Sequence, residues 1–323
     1  MVCAAPDPKR KAARVTRRKD LPPELADVFR VASARASGVP ARRLDASDLD
    51  APFRGVRVRR APPPPGLRRY EQLDYDLRRL AAGYLPVAPA DAAFSHATAA
   101  RLLRMPVPDR LLTPELHVST AGTAPRRRGV IGHQLQRDAH RFADGLPVIA
   151  SERVWLQLAP LLSLDELIVA GDYLVRRKQP LSSLALLQRE LSNSPGHRGL
   201  ASARTAFGQL RAGTDSPPES WMRLIIVRAG FPEPIVGCRV HHDHAFIGTP
   251  DLAYPEYRIA FEYQGEGHRE QSEFENDIFR LEQFHEARWT VIQVTRRLLW
   301  QQGWLAERTR RALITQGWTP SPQ

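Results

Sequence analysis

The residues that most directly point to chemistry are two carboxylates, Asp251 and Glu262. Arg258-Ile259-Ala260-Phe261-Glu262-Tyr263-Gln264 reads as a strand. Its period of two puts Arg258, Ala260, Glu262 and Gln264 on one face and Ile259, Phe261 and Tyr263 on the other. Glu262 then stands mid-way along a core strand, where an ionised carboxylate is costly unless it is paired or holds a metal. Residues 246 to 254 read as the preceding strand of a hairpin that turns at Pro255-Glu256, which brings Asp251 to the same neighbourhood. Two carboxylates crowded in a partly buried site repel, and a hard divalent cation such as Mg²⁺ relieves that repulsion. The alternative is a solvent-exposed pair at a strand edge. Glu219 follows Ser216-Pro217-Pro218 at the start of a helix, where a capping box explains it without a metal.

Pro250-Asp251, ten intervening residues and then Glu262-Tyr263-Gln264 resembles the PD-(D/E)XK nuclease signature, with Gln264 where the usual lysine stands. Glu219 on the leading helix, Gly265-Glu266-Gly267-His268 after the strand, and Asp277 with Arg280 on the next helix extend the likeness. Together, residues 200 to 300 resemble a domain-of-unknown-function family related to very-short-patch-repair endonucleases. The resemblance implies Mg²⁺ held by Asp251 and Glu262 with Glu219 completing or water-bridging the shell, and metal-assisted hydrolysis of a phosphodiester. It also implies that His268 serves as general acid or base, and that Arg269 and Arg280 contact phosphate. Gln264 departs from the pattern: it can position water or phosphate but supplies no charge, so turnover is expected to be slow or absent.

These residues need elements to carry them. Pro217 and Gly230 bracket the helix bearing Glu219, and Trp289, Val291, Ile292 and Val294 form the next core strand. Cys238 with His241, His242 and His244 invites a zinc reading, but a polar hairpin turn explains the run. Upstream, a helix is expected from Leu21 to a stop at Ser37-Gly38, then a short helix over Val39 to Leu44, then a strand of alternating Arg over Pro52 to Arg60. That outline matches a small winged helix-turn-helix, with Arg42 and Arg43 on its second helix and Arg54, Arg57, Arg59 and Arg60 on the wing as DNA contacts. The alternative is a plain helical hairpin with exposed arginines. Ala61 to Gly66 is a stiff proline connector. Helices are read over Tyr70 to Leu85, Ser95 to Leu103, Ser151 to Leu162 and Leu164 to Arg177, with Ser95 an N-cap and Ser163 with Glu166 a capping box. Short strands are read at Leu116 to Ser119 and Gly129 to Gly132. Residues 21 to 180 resemble, more weakly, the AbiEi type of antitoxin.

The expected architecture is therefore α/β. A restriction-endonuclease-like mixed sheet flanked by helices (200–323) follows a disordered basic arm (1–20), a winged helix-turn-helix (21–66) and a small AbiEi-like α/β domain (67–195). The charge distribution agrees with nucleic-acid binding. Of the formal +12, residues 1–70 carry +10 and residues 217–323 carry −2. Only Cys3 and Cys238 are present, which excludes a disulfide framework and favours the reducing cytoplasm. No run approaches the ~18 apolar residues of a membrane span, and the basic start lacks the apolar core of a secretory signal. The leading expectation is a Mg²⁺-dependent DNA endonuclease or nicking enzyme of DNA repair or phage defence. The alternative is a DNA-binding antitoxin-type regulator, with a cognate toxin as partner and a nuclease-like domain that does not cut.

Overall fold

The computed structural model describes residues 20–134, 140–265 and 271–320, excluding the side chains of residues 140 and 271–277. The chain divides into two compact units, one ending at Ala90 and one beginning at Asp91.

The first unit contains β1 (Val28–Arg30), α1 (Val31–Ala36), α2 (Ala41–Leu44), β2 (Leu49–Asp50), β3 (Val56–Arg59) and α3 (Arg69–Tyr84). The strands form an antiparallel sheet in the order β1-β3-β2. The long helix expected from Leu21 is replaced by a turn, a strand and a six-residue helix. Val28 and Phe29, β-branched and aromatic, pair with Val58 and Arg57, and this ladder satisfies their backbone groups as well as a helix would. Gly38, at φ 79°, ends α1 as expected. Leu21, Phe29, Ala34, Val39, Leu44 and Leu49 make the core. Tyr84 at the end of α3 meets Phe53 edge-on, with ring centroids 5.3 Å apart.

The second unit begins with β4 (Ala93–Phe94), α4 (His96–Leu102), β5 (Leu116–Thr120), β6 (Val130–Gln134), β7 (His140–Ala143) and β8 (Leu146–Ile149). These strands form a mixed sheet in the order β6-β5-β4-β8-β7. Helices α5 (Ser151–Leu158), α6 (Leu164–Leu174), α7 (Leu184–Ser192) and α8 (Leu200–Phe207) follow, the last two flanking the expected loop at 193–199. The capping box of α6 forms: Glu166 N–H donates to Ser163 Oγ at 3.3 Å, and Ser163 N–H donates to Glu166 Oε2 at 2.8 Å. Ser95 precedes α4, but its hydroxyl makes no cap bond and lies 3.1 Å from His96 Nδ1 instead.

The remainder is α9 (Pro217–Arg228), β9 (Ile235–Val236), β10 (Val240–His242), β11 (Ala245–Gly248), β12 (Leu252–Tyr254), β13 (Ile259–Gln264), α10 (Gln271–Glu286), β14 (Thr290–Thr295), α11 (Arg296–Leu299) and α12 (Trp304–Thr315). Its four-stranded sheet runs β14-β13-β12-β9, antiparallel except for the parallel pair β13 and β14. The strand expected over 246–254 is broken in two. Pro250 has no N–H for a ladder, so β11 leaves to pair with β10 and β12 starts afresh at Leu252. The β10–β11 turn is tight, with Asp243 and His244 at φ 46° and 66°.

The alternation read for β13 sorts its two faces. Ile259 and Phe261 pack with Met222 and Ile226 of α9 and with Leu305 and Leu313 of α12. Ala260 packs with Ile247 and with Phe284 of α10. A buried ion pair ties this sheet's leading helix to the helices before it. Arg223, 2% exposed, donates Nη2 to Asp172 Oδ2 at 2.8 Å, and Asp172 is fully buried on α6. Among the described residues, no helix is long and apolar enough to cross a membrane.

Candidate active site

Glu219, Asp251 and Glu262 come together at one end of the four-stranded sheet. The register Leu252↔Phe261 puts Asp251, one residue before β12, opposite Glu262 on β13. Asp251 Oδ2 accepts the backbone N–H of Tyr263 at 2.7 Å. Glu262 is 4% exposed, and its Oε2 accepts from Arg280 Nη2 of α10 at 3.0 Å. Gly248 helps α10 approach, since any Cβ there would lie 3.1 Å from Phe284 and 3.3 Å from Arg280. Glu219, 7% exposed in the first turn of α9, accepts from the Asp215 N–H and from Ser216 Oγ, both at 2.8 Å. The capping reading of Glu219 is thus part of its role: it reaches back to the residues before the helix, while Ser216 makes no side-chain cap bond of its own.

The electrostatics show a site short of positive charge. Burial, then repulsion from Asp251, raises the Glu219 carboxyl to about 7. Burial also raises Asp251 to about 6, and repulsion from Glu262 and Asp215 adds to it against the Tyr263 N–H bond and the attraction of Arg280. Asp215 is lowered: burial alone would raise it, but the Arg177 guanidinium outweighs that. Arg177, just past α6, also feels the charges of Glu219 and Asp251. All the donors are oxygens, partly buried and mutually repelling, which suits a hard cation such as Mg²⁺. The three carboxylates do not, however, gather within 4.8 Å as a ready-made shell: both Glu219 oxygens accept from Asp215 and Ser216, and one oxygen each of Asp251 and Glu262 accepts from Tyr263 and Arg280, while Glu262 Oε1 is buried without a hydrogen bond from the described residues.

The other expected site residues lie as follows. Gln264 ends β13, half-buried and in register with Thr295 of β14. His268, Arg269 and the arm before Asp20 lie outside the described residues, as does the side chain of Asp277. In the first unit, Arg42 and Arg54 are exposed. Arg43 forms a two-pronged pair with Asp48, Arg57 pairs with Asp45, Arg59 with Asp27 and Arg60 with Asp50. Arginines that read as a solvent-facing basic surface are thus largely matched by aspartates of the same small unit. Among the described residues, Cys238 and the histidines at 241, 242 and 244 do not assemble a metal-ligand group.

Sequence reasoning missed Asp215 and Arg177, and it missed a second cluster altogether. Among the described residues, the one group of His, Cys, Asp or Glu with ligand atoms within 4.8 Å of one another is His96, His117 and His133. They come from the start of α4, from β5 and from β6. His117 Nδ1 lies 2.9 Å from His133 Nε2, and His96 stacks on His133 with centroids 3.8 Å apart. Burial, followed by repulsion from neighbouring histidines, lowers His96 to about 3 and His133 to about 4, and burial lowers His117. The only local signal was a histidine on each of two strands; nothing in the spacing joins them to His96.

No family model matches the chain, and no solved structure matches it. Its curated relatives include two uncharacterized proteins of Mycobacterium tuberculosis, from strains CDC 1551 and H37Rv, each 28% identical over 169 residues. The match covers 51% of this chain, and the chain spans 58% of the length of each relative.

Proposed function

We propose that the protein is a Mg²⁺-dependent DNA endonuclease or nicking enzyme whose active site is Glu219, Asp251 and Glu262. The observation that carries this reading is the register that seats Asp251 opposite Glu262, at the sheet end where α9 delivers Glu219. The element order supports it: helix, three antiparallel strands interrupted by one hairpin, helix, and a fourth strand parallel to the third. A mixed sheet flanked by helices is what the resemblance to a restriction-endonuclease-like domain implies.

Asp251 and Glu262 would hold the cation, with Glu219 completing its surroundings. When bound, the cation supplies charge stabilisation to the phosphate undergoing displacement. Asp251 is oriented by the Tyr263 N–H, and Glu219 by Asp215 and Ser216. Arg280 holds Glu262 in the cation's absence and is placed to turn toward a phosphate once the carboxylate is otherwise neutralised. Gln264, at the lysine position, can orient water by hydrogen bonding only, so a slow rate is part of the proposal. The first unit is read as a winged helix-turn-helix that holds DNA, and the cytoplasm as the place of action.

A second reading is favoured by two observations, the uncharged Gln264 and the Arg280–Glu262 pair: a DNA-binding antitoxin-type regulator with a cognate toxin, whose nuclease-like domain does not cut. Incubation of supercoiled plasmid with the full chain and Mg²⁺ separates the two.

A further inference from the structure

We propose that His96, His117 and His133 form a binding site for one divalent transition-metal ion of the zinc type, separate from the carboxylate site. The sheet builds it. Ser95 N–H donates to the His117 carbonyl at 3.0 Å, which continues the β4–β5 ladder and sets His96 beside His117. On the other side, β5 and β6 run parallel with His117↔Ile131 and Ser119↔His133 in register. His133 is thus two residues beyond the partner of His117, and a period of two returns it to the same face.

The spacing is near that of a loaded site. Two imidazole nitrogens at about 2.0–2.1 Å from a tetrahedral ion lie roughly 3.3–3.4 Å apart. His117 Nδ1 and His133 Nε2 are 2.9 Å apart, so the pair needs to open by only a few tenths of an ångström. His96 must turn out of its stack on His133, where the rings are inclined by 21°. Its Nδ1 rests 3.1 Å from the hydroxyl of the fully buried Ser95, the kind of second contact that orients a ligating imidazole and leaves Nε2 for the metal.

The ligand set names the metal class. Imidazole suits zinc, copper, nickel and iron, whereas Mg²⁺ seeks oxygen, so the two sites divide metals by softness. All three histidines are half-buried. Three protein ligands leave a fourth tetrahedral position for water or an anion, as in open zinc sites.

The test uses the untagged full chain, stripped with chelator, mixed with Zn²⁺ and desalted before metal analysis. One equivalent is expected to remain on the wild type and on Asp251→Asn and His241→Gln/His242→Gln. None is expected on His117→Gln/His133→Gln. Retention by this double variant equal to wild type, or no retention by folded wild type, overturns the proposal. A measurement without variants guards against misfolding. Zn²⁺ is expected to protect His96, His117 and His133 of the wild type from diethylpyrocarbonate, read by peptide mass spectrometry. Protection elsewhere with these three still modified contradicts the site.

Discussion

The backbone N–H of Tyr263 donates to Asp251 Oδ2 across the β12–β13 pair at 2.7 Å, and so fixes the Asp251 carboxylate beside Glu262 on the neighbouring strand. A hydrogen bond that favours the charged form here works against burial and against the charge of Glu262, and burial wins: the Asp251 carboxyl stands at about 6. The chain therefore holds acids together at an energetic disadvantage in the absence of a cation.

That disadvantage has a direction with pH. Glu219 and Asp251 titrate higher folded than unfolded, so the folded state binds more protons between the two values. Stability of the metal-free protein should then fall as pH rises from about 4 through 7. The contribution is on the order of 3 kcal/mol for each group taken alone, and less for the two together where they share one repulsion. Glu219→Gln and Asp251→Asn are expected to be more stable than wild type at pH 8 and near-equal to it at pH 4, measured by urea unfolding in chelator. A wild type whose stability rises over that range would contradict the assignment. Added Mg²⁺ should stabilise the wild type more at pH 8 than at pH 6, because it binds the deprotonated acids.

Arg280 is a counter-charge that Glu262 has without a metal. Replacing it by Met is expected to lower metal-free stability by about 1–3 kcal/mol, since the buried carboxylate loses a charged donor. It should also enlarge the thermal shift given by Mg²⁺, because the cation no longer displaces an arginine. A shift that shrinks would mean that Arg280 supports the cation's place rather than standing in for it.

The Asp172–Arg223 pair joins α6 to α9 out of reach of solvent, and Arg223 also donates to Glu233 Oε1 at 2.8 Å. Removing Asp172 leaves Arg223 with Glu233, whereas removing Arg223 takes the guanidinium from the fully buried Asp172. Arg223→Met is expected to cost about 3–5 kcal/mol, read as a drop in the urea midpoint, whereas changing the exposed Arg310 should cost little.

The basic front of the chain should matter through its arm. Residues 1–19 hold seven Lys/Arg, while Arg43, Arg57, Arg59 and Arg60 already face aspartates. Deleting residues 1–19 is expected to weaken DNA binding and to flatten its salt dependence more than Arg43→Ala with Arg57→Ala does. A slope unchanged by the deletion but flattened by the double variant would locate the phosphate contacts in the folded unit instead.

Much of the carboxylate site was legible in the sequence, because a strand's period of two is local and because Glu262 interrupts an apolar run. The limits on Glu219 were also legible, since Ser216-x-x-Glu219 is a cap pattern and the carboxylate does reach back to Asp215 and Ser216. What local patterns do not carry was missed. Arg177 approaches the site from a segment 38 residues before Asp215. The three histidines are brought together by strand order in a five-stranded sheet. The helix expected from Leu21 failed for the same reason: Val28 and Phe29 have helical spacing, but a partner strand at Val56–Arg59 claims their backbone.

The central claim is that Asp251 and Glu262 hold a cation that cuts DNA. Its most direct measurement is the conversion of supercoiled plasmid to nicked or linear form by the purified full chain in Mg²⁺, beside Asp251→Asn, Glu262→Gln and a chelator control. The expected result is slow, Mg²⁺-dependent cleavage by the wild type that both variants and the chelator abolish while DNA binding persists. Tight DNA binding with no metal-dependent cleavage, or cleavage that survives in both variants, would contradict it.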